Sequence, residues 1–164
     1  MKYLLLCLFA GVCVFVGFMF SKKYRQRSNF FNALVMLCQK FDVEINFSRE
    51  RLKNIFENLD TKQKNKLYGL VENFIAFIEQ ESLLEKESLF KGISFLKEEE
   101  KDVIFLFFKT LGRSDVDSQS KEAKNYLSRF ENIASIANND NKKYGSLSIK
   151  LGVIAGLLIV VLFI

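Results

Sequence analysis

The sequence predicts an all-α fold, a helical bundle set between N- and C-terminal transmembrane helices, and three observations carry that expectation. The 164 residues include no Pro and only eight Gly, so the punctuation of turn-rich sandwiches and barrels is missing and long helices are favoured. Uncharged apolar runs stand near both ends. Between them apolar residues return every three or four positions, the repeat of one helix face. The expected domains are a first transmembrane helix over 1–20, a cytoplasmic bundle over 21–144 and a second transmembrane helix over 145–164.

The first run, Tyr3 to Phe20, is eighteen residues without a charge, about 27 Å as helix and close to the thickness of a hydrocarbon core. A signal peptide carries its charge before the apolar core and small residues after it. Here Lys22, Lys23, Arg25 and Arg27 follow at once, so no cleavage is expected. Neither Cys7 nor Cys13 has the flanking residues of a lipoprotein box, and lipidation is not expected either. The last run, Leu151 to Ile164, has fourteen residues and reaches twenty when extended back to Gly145. Lys150 then lies near the interface, where a long stem lets its ammonium reach water. Basic residues after the first span and at Lys142, Lys143 and Lys150, against Lys2 alone beyond, place the middle region in the cytoplasm and the protein in the cell membrane with two spans. Ser148, Gly152 and Gly156 give the second span one small face, the kind that permits close helix pairing in lipid. Gly11 and Gly17 with Cys7 and Cys13 give the first span similar patches. The other reading of these glycines is that Gly is common in membrane helices.

The first helix is expected to continue into the cytoplasm with Phe30, Leu34, Leu37, Phe41 and Ile45 on one stripe. Ser48 reads as a fresh N-cap for a short helix carrying Leu52, Ile55, Phe56 and Leu59. A third helix is predicted from about Lys62 to Glu81, with Leu67, Leu70, Val71, Phe74, Phe77 and Ile78 inward. A fourth, capped by Ser82, bears Leu83, Phe90 and Ile93, with Gly92 at its end. Glu98, Glu99, Glu100 and Asp102 open a fifth, where acids complement the helix dipole. Its core, Val103 to Phe108, is apolar on all sides, which suits the middle of a bundle; a buried strand would have no second strand to pair with. Gly112 terminates it, Ser114 caps the next helix and Asp117 completes a capping box. In that final helix Val116, Ala123, Phe130 and Ala137 recur every seven residues with Leu127 and Ala134 between them, a coiled-coil-like seam. The polar run from Asn138 to Asn141 marks either a kink or a solvated stretch before the second span.

Composition excludes much chemistry. There is no His, the commonest general base and transition-metal ligand. Cys7, Cys13 and Cys38 form no paired motif, so neither a disulfide framework nor a zinc site is expected. The net charge is +5, with every acid between Asp42 and Asp140 and, once Lys2 and Lys150 are set aside, 22 basic against 19 acidic residues in the middle region. Lys and Glu alternate along helix faces there, unlike the basic, aromatic-interleaved stripe of a nucleic-acid binder. No glycine loop of the nucleotide-binding type occurs. An enzyme would have to use Glu98, Glu99, Glu100 and Asp102, or Asp115 and Asp117, but acids at a helix start are more often dipole complements than acid-base pairs. The chain is therefore expected to be non-catalytic, with no cofactor, metal, nucleic acid or small-molecule substrate.

Leu111, Gly112, Arg113, Ser114 and Asp115, followed by Gln119, a long helix, Lys143 with Tyr144, and Leu151 with Gly152 in an apolar run, resemble the stage III sporulation protein AB family. Gly17 and Phe18, the basic exit, and Phe41, Glu44, Ile45 and Phe47 agree. One departure is that Ser48 and Arg49 follow Phe47 where the family often has a proline. The resemblance implies a membrane component of the complex joining mother cell and forespore, with a helical domain similar to the F-type platform proteins of type II secretion and type IV pilus systems. It implies as partners a stage III sporulation protein AA-like ATPase and other stage III sporulation proteins, in addition to membrane lipid, and homo-oligomers are compatible with it. Gly112, Ser114, Asp115 and Gln119 are the residues expected to meet a protein partner, although capping alone accounts for Gly112 and Ser114; Asp115 is the least explained by the fold. The alternative is a generic membrane-anchored scaffold or regulator unrelated to sporulation.

Overall fold

With no proline to interrupt it, α1 runs unbroken over Lys2–Phe47. The computed structural model describes residues 2–47, 52–80, 84–111 and 116–163. After α1 come α2 (Leu52–Glu57), α3 (Thr61–Lys66), α4 (Leu70–Gln80), α5 (Lys86–Leu89), α6 (Glu98–Thr110) and α7 (Val116–Asp140). A π-helical turn, Asn141–Gly145, then leads into α8 (Ser146–Phe163). The described residues contain no strand, so they are all-α as expected. They gather into two compact units, one of Asn29–Ala134 and one of Met1–Ser28 with Ser135–Ile164.

The Asn29–Ala134 unit is built on phenylalanine. From α1, Phe30, Leu34, Leu37 and Phe41 are shut off from water on the predicted stripe; Ile45 is helical, but its side chain falls outside the described set. Ile55, Phe56 and Leu59 from the α2 region, Leu67, Leu70, Val71 and Phe74, and Ile104, Phe107 and Phe108 from α6 complete the interior. Phe107 is the hub: its ring centroid lies 6.4 Å from Phe41, 5.3 Å from Phe108, 5.3 Å from Tyr126 and 5.4 Å from Phe130, all edge-on. Phe108 meets Phe74 at 4.7 Å and Phe74 meets Phe56 at 5.4 Å. Edge-to-face pairs add roughly 0.5–1.5 kcal/mol each to the burial of the rings. The predicted seam of α7 is buried at Ala123, Phe130 and Ala134, and small residues there let α7 approach α1 and α2, as the cluster of Phe41, Ile55 and Ala123 shows.

Four local expectations need correction. The single helix expected from Lys62 to Glu81 is two helices, because Tyr68 (φ 51°) and Gly69 (φ 85°) turn left-handed between α3 and α4. Gly69 adopts that conformation without steric cost. Tyr68 does so while its ring packs 4.8 Å from Phe95, and the Leu70 N–H closes the turn on the Leu67 carbonyl. The fourth helix is shorter than expected: α5 starts after Glu85, so Ser82, outside the described residues, is not its N-cap. Gly92 does sit at a left-handed φ of 85° beyond it. On α6, Leu106 is 48% exposed, so this helix is not buried on every side. The stretch from Asn138 to Asn141 is solvated only in part: Asn139 is exposed, whereas Asn138 and Asp140 make the half-buried contacts described next.

Ser48, like Gly112, Ser114 and Asp115, lies outside the described residues.

Candidate functional site

The Met1–Ser28 and Ser135–Ile164 unit pairs the start of α1 with the end of the chain. A string of close approaches gives the register: Gly17 faces Ser148 and Gly152, Cys13 and Val14 face Gly152, Ala10 faces Gly156, and Ser21 is near Gly145. As one helix rises the other descends, so the two are antiparallel. A Cβ on Gly17 would lie 2.6 Å from the Ser148 carbonyl oxygen and 3.3 Å from the Gly152 Cα; one on Gly152 would lie 2.8 Å from the Cys13 carbonyl oxygen. At Gly156 the nearest atom is the Ala10 carbonyl oxygen at 3.1 Å. Backbone meets backbone at these points, so closely at Gly17 and Gly152 that only a residue without a side chain fits, and tightly at Gly156. Gly11 differs, with nothing within 4 Å. Of the residues expected on the small face, Gly152 and Gly156 are buried, and Ser148 turns its hydroxyl back to donate to the Tyr144 carbonyl at 2.8 Å.

A polar layer closes the pair where the apolar runs stop. Arg27, only 6% exposed, donates from Nη1 to Asp140 Oδ2 at 2.8 Å. One residue on, the Ser28 hydroxyl donates to the Asn138 side-chain oxygen. The Tyr24 and Tyr144 rings lie 5.7 Å apart, and the Lys143 ammonium is 5.1 Å from the Tyr144 centroid. The π-helical turn Asn141–Gly145 sits between the Asp140 ion pair and the glycine contacts. One extra residue per turn re-aims the side chains that follow, and such turns are frequent at functional sites.

Sequence reasoning missed this layer. Arg27 registers in the sequence only as one of several basic residues, and its partner is 113 positions away. The available signal was that Asp140 is the single acid in the last thirty residues. A double-mutant cycle measures the contact: Arg27→Gln and Asp140→Asn should each lower the denaturation midpoint, and the double variant should lose less than the sum by about 1 kcal/mol. Strict additivity would mean the two groups do not interact.

Away from the helix pair, three of the carboxylates weighed for catalysis, Glu98, Glu100 and Asp102, have structural partners. Lys86 Nζ donates to Asp102 at 2.6 Å and to Glu98 at 3.1 Å, and Lys101 Nζ donates to Glu98 at 2.7 Å. These bonds, Lys101 first, hold the Glu98 carboxyl below its usual range, the opposite of what a general acid at neutral pH requires. Buried Glu100 accepts the Lys97 backbone N–H at 3.0 Å and so caps α6. Gln119 lies in α7, but its side chain, like that of Asp117, is outside the described set. Among the described residues no group of three or more His, Cys, Asp or Glu is placed to hold a metal.

The outer surface of the helix pair is apolar. Leu8, Phe15 and Phe18 on α1 and Leu157, Val161 and Leu162 on α8 are each at least half exposed. By length and composition, one helical run among the described residues, within Lys121–Phe163, is apolar enough to cross a membrane. No curated protein and no solved structure matches the chain. A family model does, that of stage III sporulation protein AB, and because its match extends over residues 2–164 the chain belongs to that family.

Proposed function

We propose that this protein is a non-catalytic membrane platform in the complex joining mother cell and forespore, fixed by two spans and coupling a cytoplasmic ATPase to the membrane assembly. Family membership implies a sporulation-related role. The observation that supports the finer reading is the antiparallel pairing of two helices through backbone-close glycines, with apolar residues facing away from the contact. In water so much contiguous apolar surface would be a liability, whereas in hydrocarbon it is matched by the solvent. Both 1–20 and 145–164 then span the bilayer, and the intervening residues lie in the cytoplasm by the distribution of lysine and arginine. Gly112, Ser114, Asp115 and Gln119 form the segment that meets the ATPase, a stage III sporulation protein AA-like partner.

Cysteine accessibility in intact cells tests the topology. Buried Cys38, its thiol pushed far above the usual range by desolvation, stays unreactive and can remain in place. With Cys7 and Cys13 replaced, a cysteine at exposed Lys121 should react with an impermeant maleimide only after the cells are opened, and one appended at either terminus should react beforehand. Labelling of Lys121→Cys in intact cells would refute the orientation. For the partner, Asp115→Ala should lose co-purification with the ATPase at an unchanged melting temperature; a lower melting temperature with binding retained would assign Asp115 to the fold.

A further inference from the structure

We propose that the polar end of the α1 and α8 pair is a binding surface for anionic phospholipid headgroups, which sets the depth of the pair in the bilayer. The inference rests on the reading of both helices as membrane spans. Its own basis is a charge asymmetry between the two units. The paired-helix unit holds eight Lys and Arg against one acid, Asp140; the Asn29–Ala134 unit holds the remaining sixteen basic residues against eighteen acids. The excess positive charge of the whole chain therefore belongs to the helix pair. Asp140 does not offset it locally, because its carboxylate is taken by buried Arg27.

The cations have a definite place. Lys22, Lys23 and Arg25 on α1 and Lys142 and Lys143 at the π-helical turn are all exposed. Antiparallel pairing brings the two groups to one level, since Ser21 is near Gly145 and the Tyr24 ring lies beside that of Tyr144. The result is a collar of five positive side chains around two helices. It begins directly after the exposed apolar surface, whose last large residue on α1 is Phe20, 52% exposed. The paired tyrosine rings lie at the same level, and amphipathic rings favour the headgroup zone. A protein partner with an acidic face would match the charge alone. A lipid matches the charge, the adjoining apolar wall and the tyrosines together, so the commitment is to a phosphodiester headgroup of net negative charge.

The chain has no Trp, so Tyr144→Trp in the full-length protein supplies a single reporter beside the collar. Reconstituted with brominated phosphatidylglycerol or brominated phosphatidylcholine in mixed bilayers, it should be quenched more by the anionic lipid. The expected relative affinity is about fivefold or more, the factor that one lysine supplies at a charged surface. Replacing Lys22, Lys23, Lys142 and Lys143 together by Gln should bring that ratio to about one. Equal quenching before substitution, in protein that resists alkaline extraction from phosphatidylcholine vesicles, overturns the lipid preference and leaves the membrane reading standing. Protein that washes off those vesicles overturns both. A preference that survives the four substitutions, or that inorganic phosphate abolishes at constant ionic strength, also overturns the proposal; the first puts the selectivity elsewhere and the second makes the site one for a soluble anion.

Discussion

Gly17→Leu should force α1 and α8 apart, with a loss of about 3 kcal/mol in pairing stability, at the upper end of what overpacking costs. The reason is the identity of the neighbour. A Cβ at that position meets the Ser148 carbonyl oxygen at 2.6 Å and the Gly152 Cα at 3.3 Å, and backbone atoms of a helix cannot rotate out of the way as a side chain can. Gly152→Leu should be nearly as damaging, since its Cβ meets the Cys13 carbonyl oxygen at 2.8 Å; Gly156→Ala, with 3.1 Å to Ala10, should cost less. Gly11→Leu is the control. Nothing lies within 4 Å of its Cβ, and Leu is a better helix former than Gly, so that variant should be neutral or slightly stabilised. Unfolding by titrated denaturing detergent, followed by energy transfer between labels on the two helices, reads the series. An equal response at Gly11 and Gly17 would mean the observed register is wrong.

Phe107→Ala should be the most damaging single truncation in the bundle. Its side chain is 1% exposed and touches four other rings, so its loss removes the burial of a large ring and leaves a void, together about 3–5 kcal/mol. At roughly 4–8 °C per kcal/mol for a unit of this size, the melting temperature should fall by about 12 °C or more. Phe108→Ala should approach that loss through Phe74 and Phe56. Leu106→Ala, half exposed, should stay within about 0.5 kcal/mol of the parent. The pattern also separates helix from strand. In a strand buried on one face, neighbours 107 and 108 would point to opposite sides and only one would matter; the burial of Ile104, Phe107 and Phe108 follows the three-and-four spacing of a helix.

The bundle was legible where periodicity is strong. Phe30 to Phe41 and Ala123 to Ala134 are buried as their spacing required, because a repeat of three and four residues fixes which side of a helix meets the interior whatever the partner is. Legibility failed at breaks set by contacts from afar. Gly69 is the one local mark of the break after α3, but a lone Gly does not by itself end a helix, and the left-handed turn at Tyr68 serves a ring contact with Phe95, which is distant in sequence. Leu106 was misplaced for a related reason. A run with no polar residue has no marked face, and only the packed neighbours decide which member is left outside. At the helix pair, the small face of Ser148, Gly152 and Gly156 could be read in advance, but its partner could not, since glycine carries no mark of what it faces.

By itself the sequence determined the helical character of the chain, its apolar ends, its family and the stripes that enter the core, because these depend on composition and on repeats within a few residues. Tertiary structure alone decided that α1 and α8 pair within one chain, with Gly17 against Gly152, and that Arg27 finds Asp140. Those outcomes join residues more than a hundred positions apart. The free energy that selects them comes from close packing and from pairing a buried charge, neither of which exists until the chain has brought the two surfaces together.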